Sequence, residues 1–217
     1  MNSDQYDSLA DKLYAAVISD VLDAAGRRNQ VLDARVVHNL GPGVLVGRAA
    51  TMLAGEQVEV EGEPYSLQVK ATDALSEDDV IVATTQGNEQ AAFWGELFST
   101  AAMARGARGL VLDGYVRDRR KIGEIGFSVF ATGSRPVDSM GRITVHAHGI
   151  PILCGGVVVK PGDLIFGEPD GVVVVPADIE EEVISAALEK VEKEDSVRDE
   201  LAKGASLAEA WKRHGVL

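Results

Sequence analysis

The chain has 217 residues, 46% of them apolar, and carries a formal charge of −13 from 21 basic and 34 acidic side chains. That balance is typical of a folded domain, and its acidity repels phosphate backbones, so disorder and a nucleic-acid partner are both disfavoured. Cys154 is the only cysteine, which rules out an intrachain disulfide or a cysteine-rich zinc site; apolar runs fall well short of the roughly 20 residues a membrane helix needs, and the acidic N-terminus is unlike a signal peptide. No membrane partner and a cytoplasmic location are therefore expected.

From Asp4 to Ala25 the apolar residues Tyr6, Leu9, Leu13, Val17, Val21 and Leu22 recur at helical spacing, with Gly26 as a left-handed stop, which predicts one amphipathic helix. The segment 38–53 reads as a Gly-Pro turn into a strand, and 78–85 as a buried strand. The middle of the chain then alternates. A helix is predicted over 91–105, a strand over 109–112, a short helix over 119–123 and a strand over 127–131, the pattern of parallel βαβ units. Valine, glycine and proline dominate 143–176, which predicts a small all-β portion. A charged helix over 178–202 ends near Gly204, and Ser206 with Glu209 forms a capping-box pattern opening a short terminal helix. One α/β domain over 1–217, with an N-terminal helix and a C-terminal helical arm, is the expected organisation.

The stretch "LVLDGYVRD" places Arg117 and Asp118 just beyond a predicted parallel strand, where ligands bind in α/β folds. A guanidinium offers a planar fork to a carboxylate, and an aspartate offers an oxygen to a hard cation. The alternative is a solvated ion pair, or Asp118 as a helix N-cap. In "FWGELFSTAA", a helix beginning near Gly95 would present the free N–H groups of Glu96, Leu97 and Phe98 as an anion site. His146 and His148 alternate on a strand but lack an evident third ligand, His38 and His214 read as surface residues, and Cys154 reads as a small buried hydrophobe. Asp163, Glu168 and Asp170 read as turn-formers. Walker, dinucleotide, nucleophile-elbow and zincin motifs are all absent from the sequence.

Taken together, "WGELFSTAAMARGARGLVLDGYVRD", "GFSVFATGSRPVDSMGR" and "GGVVVKPGDLIFGEPDGVVVVP" closely resemble the family that contains 4-hydroxy-4-methyl-2-oxoglutarate/4-carboxy-4-hydroxy-2-oxoadipate aldolase and the regulator of ribonuclease activity A (RraA), from about Ile18 to Leu207. The resemblance implies a layered β/β/α swivelling-domain fold and a homotrimer or dimer of trimers with sites between subunits. It implies a class II aldolase or decarboxylase that releases pyruvate from short 4-hydroxy-2-oxoacids or oxaloacetate, using Mg2+ or Mn2+ held by Asp118. Arg117 matches the substrate-contacting arginine, and Gly95, Glu96, Leu97 and Phe98 match the loop that receives the pyruvyl carboxylate. Glu96 is a candidate proton-transfer helper. Glu194 of a neighbouring subunit, with Glu192 close behind, is the candidate for the metal's water shell. Lys121 stands where the family's aldolases usually carry an acid, a departure that also admits a non-catalytic, protein-binding regulator of ribonuclease activity.

Overall fold

The computed structural model describes residues 1–57 and 63–216. Its organising strand is β2 (Leu45–Glu56), long enough to serve three neighbours. The first half of β2 pairs antiparallel with β10 (Leu164–Glu168), and its second half pairs antiparallel with β7 (Ile143–His148). Its other edge runs parallel to β3 (Asp79–Thr84), and parallel pairing continues through β5 (Gly109–Val116) to β6 (Ser128–Ser134). Strands β1 (Val37–Leu40) and β11 (Gly171–Val175) close the two ends antiparallel, while β4 (Ala92–Trp94) pairs parallel with the end of β5. The result is a mixed nine-stranded sheet among the described residues, accompanied by a separate hairpin of β8 (Ile152–Cys154) and β9 (Val157–Val159).

Alternation along these strands divides the apolar side chains into three cores. Val80 and Val82 of β3, Val111 of β5, Phe130 of β6 and Val174 of β11 point to one side, where they pack with Ile152, Cys154, Val157 and Val159 of the hairpin. Ile81, Ala83, Leu110 and Leu112 point the other way, together with the buried residues of α3 (Ser66–Asp73), α4 (Glu96–Ala104) and α5 (Arg119–Ile125). Leu164, Phe166, Val173 and Val175 face α1 (Ser3–Lys12), α2 (Ala15–Ala24) and α6 (Glu180–Ala202). Burying each large apolar side chain contributes roughly 1.5–3 kcal/mol, so hairpin, sheet and helices stabilise one another as successive layers. This is the layered β/β/α arrangement expected from the sequence.

The parallel βαβ alternation, Gly26 at a left-handed φ of 78° and the Ser206–Glu209 capping box of α7 (Leu207–His214) are found as expected. Two expectations change. The first helix is two, because Leu13 and Tyr14 are extended between α1 and α2. No proline or glycine marks the break; the Glu168 carboxylate accepts the Ala15 N–H at 2.7 Å and so caps α2 from a distant turn. The helix predicted over 91–105 starts only at Glu96, since Ala91–Trp94 are four consecutive buried residues of which Ala92–Trp94 form β4. The β-rich segment expected over 143–176 belongs to the same domain, as expected: β7, β10 and β11 join the main sheet, and only the hairpin stands apart.

A polar tie fixes the N-terminal helices to this frame. Arg48 on β2 donates to the Tyr6 hydroxyl at 2.8 Å, to the Gly162 carbonyl at 3.1 Å and to both carboxylate oxygens of Glu180 at the start of α6, Oε1 at 2.8 Å. Bidentate pairing of this kind satisfies both charges while most of the carboxylate is shielded from water. Among the described residues no helix is long and apolar enough to cross a membrane.

Candidate functional site

The carboxyl ends of β4 and β5 lie side by side, with the Arg117 N–H donating to the Trp94 carbonyl at 2.8 Å. Each strand turns immediately into a helix, α4 after Gly95 and α5 after Asp118. Buried Ser99 holds the first corner: its hydroxyl donates to the Gly95 carbonyl at 3.0 Å and accepts from the Trp94 indole N–H at 2.9 Å. Arg117 and Asp118 are thereby brought against the N-terminus of α4. Together with Tyr65, Phe98 and Asp138 they line a cavity of about 330 Å³.

Asp118 occupies the N-cap position of α5 but does not cap it. Its backbone is left-handed (φ 58°, ψ 29°), an uncommon state for a residue with a side chain, and no cap hydrogen bond forms. The side chain instead turns toward α4, where Oδ2 accepts the Glu96 N–H at 3.2 Å and lies 3.7 Å from Arg117 Nε. The N-cap reading is set aside by this geometry. Gly95 makes the approach possible, because a Cβ there would lie 2.7 Å from Asp118 Oδ2 and 3.2 Å from Arg117 Nε.

One of the three amides anticipated as an anion site is thus already used. Glu96 gives its N–H to Asp118, leaving those of Leu97 and Phe98 as the open donors of the first turn. Glu96 is among the residues lining the cavity, with its Oε1 accepting the Thr100 hydroxyl at 2.9 Å.

Two further residues complete the wall, and the sequence reading assigned neither. Arg117 Nη1 lies 3.2 Å from Asp138 Oδ1, and Asp138 Oδ2 accepts the Tyr65 hydroxyl at 2.7 Å. The chain Tyr65–Asp138–Arg117 therefore orients the guanidinium from the side opposite Asp118. Burial, then the hydrogen bond to Asp138, push the Tyr65 hydroxyl up to about 12, so it stays a donor throughout the physiological range. For Asp138, burial opposes ionisation, but the Tyr65 hydrogen bond, the Arg117 guanidinium and the N–H groups of Met140 and Ser139 outweigh it and hold the carboxyl below its usual range. Asp138 lies inside "GFSVFATGSRPVDSMGR", and its position two residues after Pro136 was the available signal.

A folded-state carboxyl held low stabilises the fold above its unfolded value, about 3.9, and loses that contribution as pH falls through the folded value. Asp138→Asn should therefore lower stability at neutral pH by less than about 1 kcal/mol, the pair being a third exposed and screened. Denaturant melts of variant and parent should converge as the pH falls below the usual carboxylate range and through the lowered folded value.

The donor set suits a hard divalent cation of limited protein ligation. Asp118 Oδ1 takes no hydrogen bond from the described residues, and the carboxylate is 44% exposed at the cavity. Among the described residues there is no cluster of three His, Cys, Asp or Glu side chains able to hold a metal. A single carboxylate with water and substrate oxygens is a recognised magnesium environment.

The remaining candidates lie elsewhere. Glu194 is on α6, 3.7 Å from Lys190 Nζ and only 14% exposed, and is not brought to the cavity of its own chain; burial raises its carboxyl. Glu192 is on the same helix, and Lys121 is exposed on α5, outside the cavity lining. His146 and His148 are exposed on β7. His214 binds Glu200 at 3.1 Å. His38, read as a surface residue, is half-buried with its ring 5.2 Å from that of Phe130, and its Nε2 is buried without a partner. Cys154 is buried as anticipated, its thiol donating to the Ala83 carbonyl at 3.4 Å, and burial, with the Asp113 carboxylate next, pushes it up to about 12. A protonated thiol of this kind is inert.

The chain is similar to several known proteins. The chain is 28% identical over 196 residues to protein DlpA of Legionella pneumophila, covering 90% of this chain but 31% of that protein, so it spans about a third of the relative's length. It is 33% identical over 153 residues to a Halalkalibacterium halodurans protein named "Putative 4-hydroxy-4-methyl-2-oxoglutarate aldolase", covering 66% of this chain and 72% of that one. The crystal structure of Streptomyces coelicolor RraAS2, described as an unusual member of the RNase ES inhibitor RraA protein family, superposes with a TM-score of 0.80 at 25% identity, covering 91% of this chain and 97% of that one. The family model described as "RraA-like: Aldolase/RraA" matches residues 15–174, a span that contains the strands, corners and cavity-lining residues just described, and the chain belongs to this RraA-like family.

Proposed function

We propose that the cavity is the active site of a divalent-cation-dependent carbon–carbon lyase, which releases pyruvate from short 4-hydroxy-2-oxoacids or from oxaloacetate. The observation that carries this reading is convergence: the Arg117 guanidinium, the Asp118 carboxylate and the open N–H groups of α4 meet at one cavity. Mg2+ or Mn2+ held by Asp118 would act as a Lewis acid on the 2-oxo and carboxylate oxygens of the substrate.

The chain's own groups account for the rest. The Leu97 and Phe98 amides, at the positive end of α4, receive the substrate carboxylate. Arg117, held by Asp138 and Tyr65, places positive charge where the enolate oxygen develops, and because it is fixed in advance it needs no reorganisation during reaction. In the aldol case a proton leaves the C4 hydroxyl as the C3–C4 bond breaks, and Glu96 of the cavity lining is the candidate to take it, directly or through water. Glu194 of a neighbouring subunit, within a trimer or dimer of trimers, is the proposed partner for the cation's water shell.

The test is pyruvate release followed by coupled reduction with lactate dehydrogenase, with 4-hydroxy-4-methyl-2-oxoglutarate and oxaloacetate among the substrates. Turnover should need Mg2+ or Mn2+, stop with chelator and return when the ion is restored. Metal-independent release, or none with any substrate, would refute the proposal. A protein-binding regulator of ribonuclease activity is the second reading, favoured by the exposed Lys121 and the −13 charge. It expects a stoichiometric complex with an RNA-degrading enzyme and no pyruvate.

A further inference from the structure

The charges around the cavity are lopsided. Arg117 is the only basic side chain among its described lining residues, against the acids Asp73, Glu96, Asp118 and Asp138. Its Nη1 is already on Asp138, and its Nε faces Asp118, so its free edge serves one carboxylate. Asp73 is held from outside by Arg105, whose Nε also donates to the Asp73 carbonyl at 3.2 Å. That arginine is spent on its partner and is not part of the lining.

Away from Arg117 and the start of α4, most of the wall is apolar, with Thr72, Asp73 and Ser139 its polar members and no cation among them. Val69 of α3, Phe98 and Ala101 of α4, Phe93 and Trp94 of β4 and the ring of Tyr65 form the apolar part. The rings are packed together, with the Tyr65 and Trp94 centroids 6.3 Å and 5.3 Å from that of Phe98. Within this chain, the surface offered to the far end of a substrate whose 2-oxoacid end is held by Arg117, Asp118 and the α4 amides is this apolar one. A second carboxylate there would give up water without meeting a cation, whereas an alkyl or aryl group would lose nothing polar and bury apolar area.

Resting on the lyase reading above, we infer that the site selects 4-hydroxy-2-oxo monocarboxylates with an apolar group on C4, in preference to di- and tricarboxylates. In the reaction, R–CH(OH)–CH2–CO–COO− gives R–CHO and CH3–CO–COO−. The C3–C4 bond breaks, the C4 hydroxyl proton passes to a base, the bond's electron pair forms the pyruvate enolate, and a proton returns to C3. No oxidant or reductant enters.

The test compares kcat/KM for pyruvate release from 4-hydroxy-2-oxohexanoate and 4-hydroxy-2-oxo-4-phenylbutanoate with that from 4-hydroxy-4-methyl-2-oxoglutarate, all with saturating Mg2+. A preference of about tenfold or more for the apolar pair is expected. Binding of the non-cleavable 2-oxo-4-phenylbutanoate and 2-oxoglutarate, followed by calorimetry, should show the same order. Val69→Arg, at a position 45% exposed and so tolerant of a long side chain, should move the preference toward the dicarboxylate by about tenfold. Equal or better use of the dicarboxylate by the parent, with equal or tighter 2-oxoglutarate binding, overturns the inference while leaving the lyase intact. No pyruvate from these compounds but release from oxaloacetate overturns the inference alone, and no pyruvate from any of them or from oxaloacetate overturns the lyase reading and the inference with it.

Discussion

Asp118→Ala should lower metal-dependent pyruvate release by about 10³-fold, the size seen when a fixed group serving the developing charge is removed. The described residues hold no cluster of three His, Cys, Asp or Glu that could take over, and Asp138, another acid of the cavity, is committed to Arg117 and Tyr65. Folding should be spared. The Asp118 side chain makes no cap bond to α5, and its left-handed backbone is a cost of about 1 kcal/mol that Asp118→Gly would relieve. The glycine variant should therefore be as inactive as the alanine variant yet melt at or above the temperature of the parent protein. Calorimetric melts beside the pyruvate assay check both. Retained turnover in either variant would remove the cation from its proposed place.

Gly95→Ala should be nearly as damaging, at about 10²-fold, through geometry rather than charge. Gly95 has φ −147°, an extended backbone open to any residue, so the requirement for glycine is purely one of space. The added methyl would lie 2.7 Å from Asp118 Oδ2 and 3.2 Å from Arg117 Nε. One of them must move. If the carboxylate swings away it also releases the Glu96 N–H, so the variant should lose Mg2+ affinity, measurable by titration calorimetry, before it loses secondary structure. Unchanged metal binding and unchanged turnover would show that the corner is slack.

Much of this was legible in the residues, and the exceptions share a cause. The parallel βαβ alternation, the Gly26 stop and the Ser206 capping box depend on local spacing and were read correctly. So was the pairing of Arg117 with Asp118 at a strand end, since strand polarity fixes where such a loop must open. The break between α1 and α2 was invisible because its cap, Glu168, comes from 153 positions away. Tyr65 and Asp138 were missed for the same reason: they lie 73 positions apart, and only the folded sheet makes them neighbours. The Glu96 amide was misassigned because its partner, Asp118, is 22 residues further on and reaches it with a backbone torsion no propensity predicts.

The cavity draws its walls from three stretches, 65–73, 92–101 and 117–139, joined only through strands that pair late along the chain. Parallel strands linked by crossovers carry a heavy loop-closure cost and form slowly. During synthesis, then, no fragment ending before residue 139 holds the complete pocket, and a nascent or half-denatured molecule should neither sequester metal nor attack keto acids. Competence should return in step with the slowest refolding phase and not before.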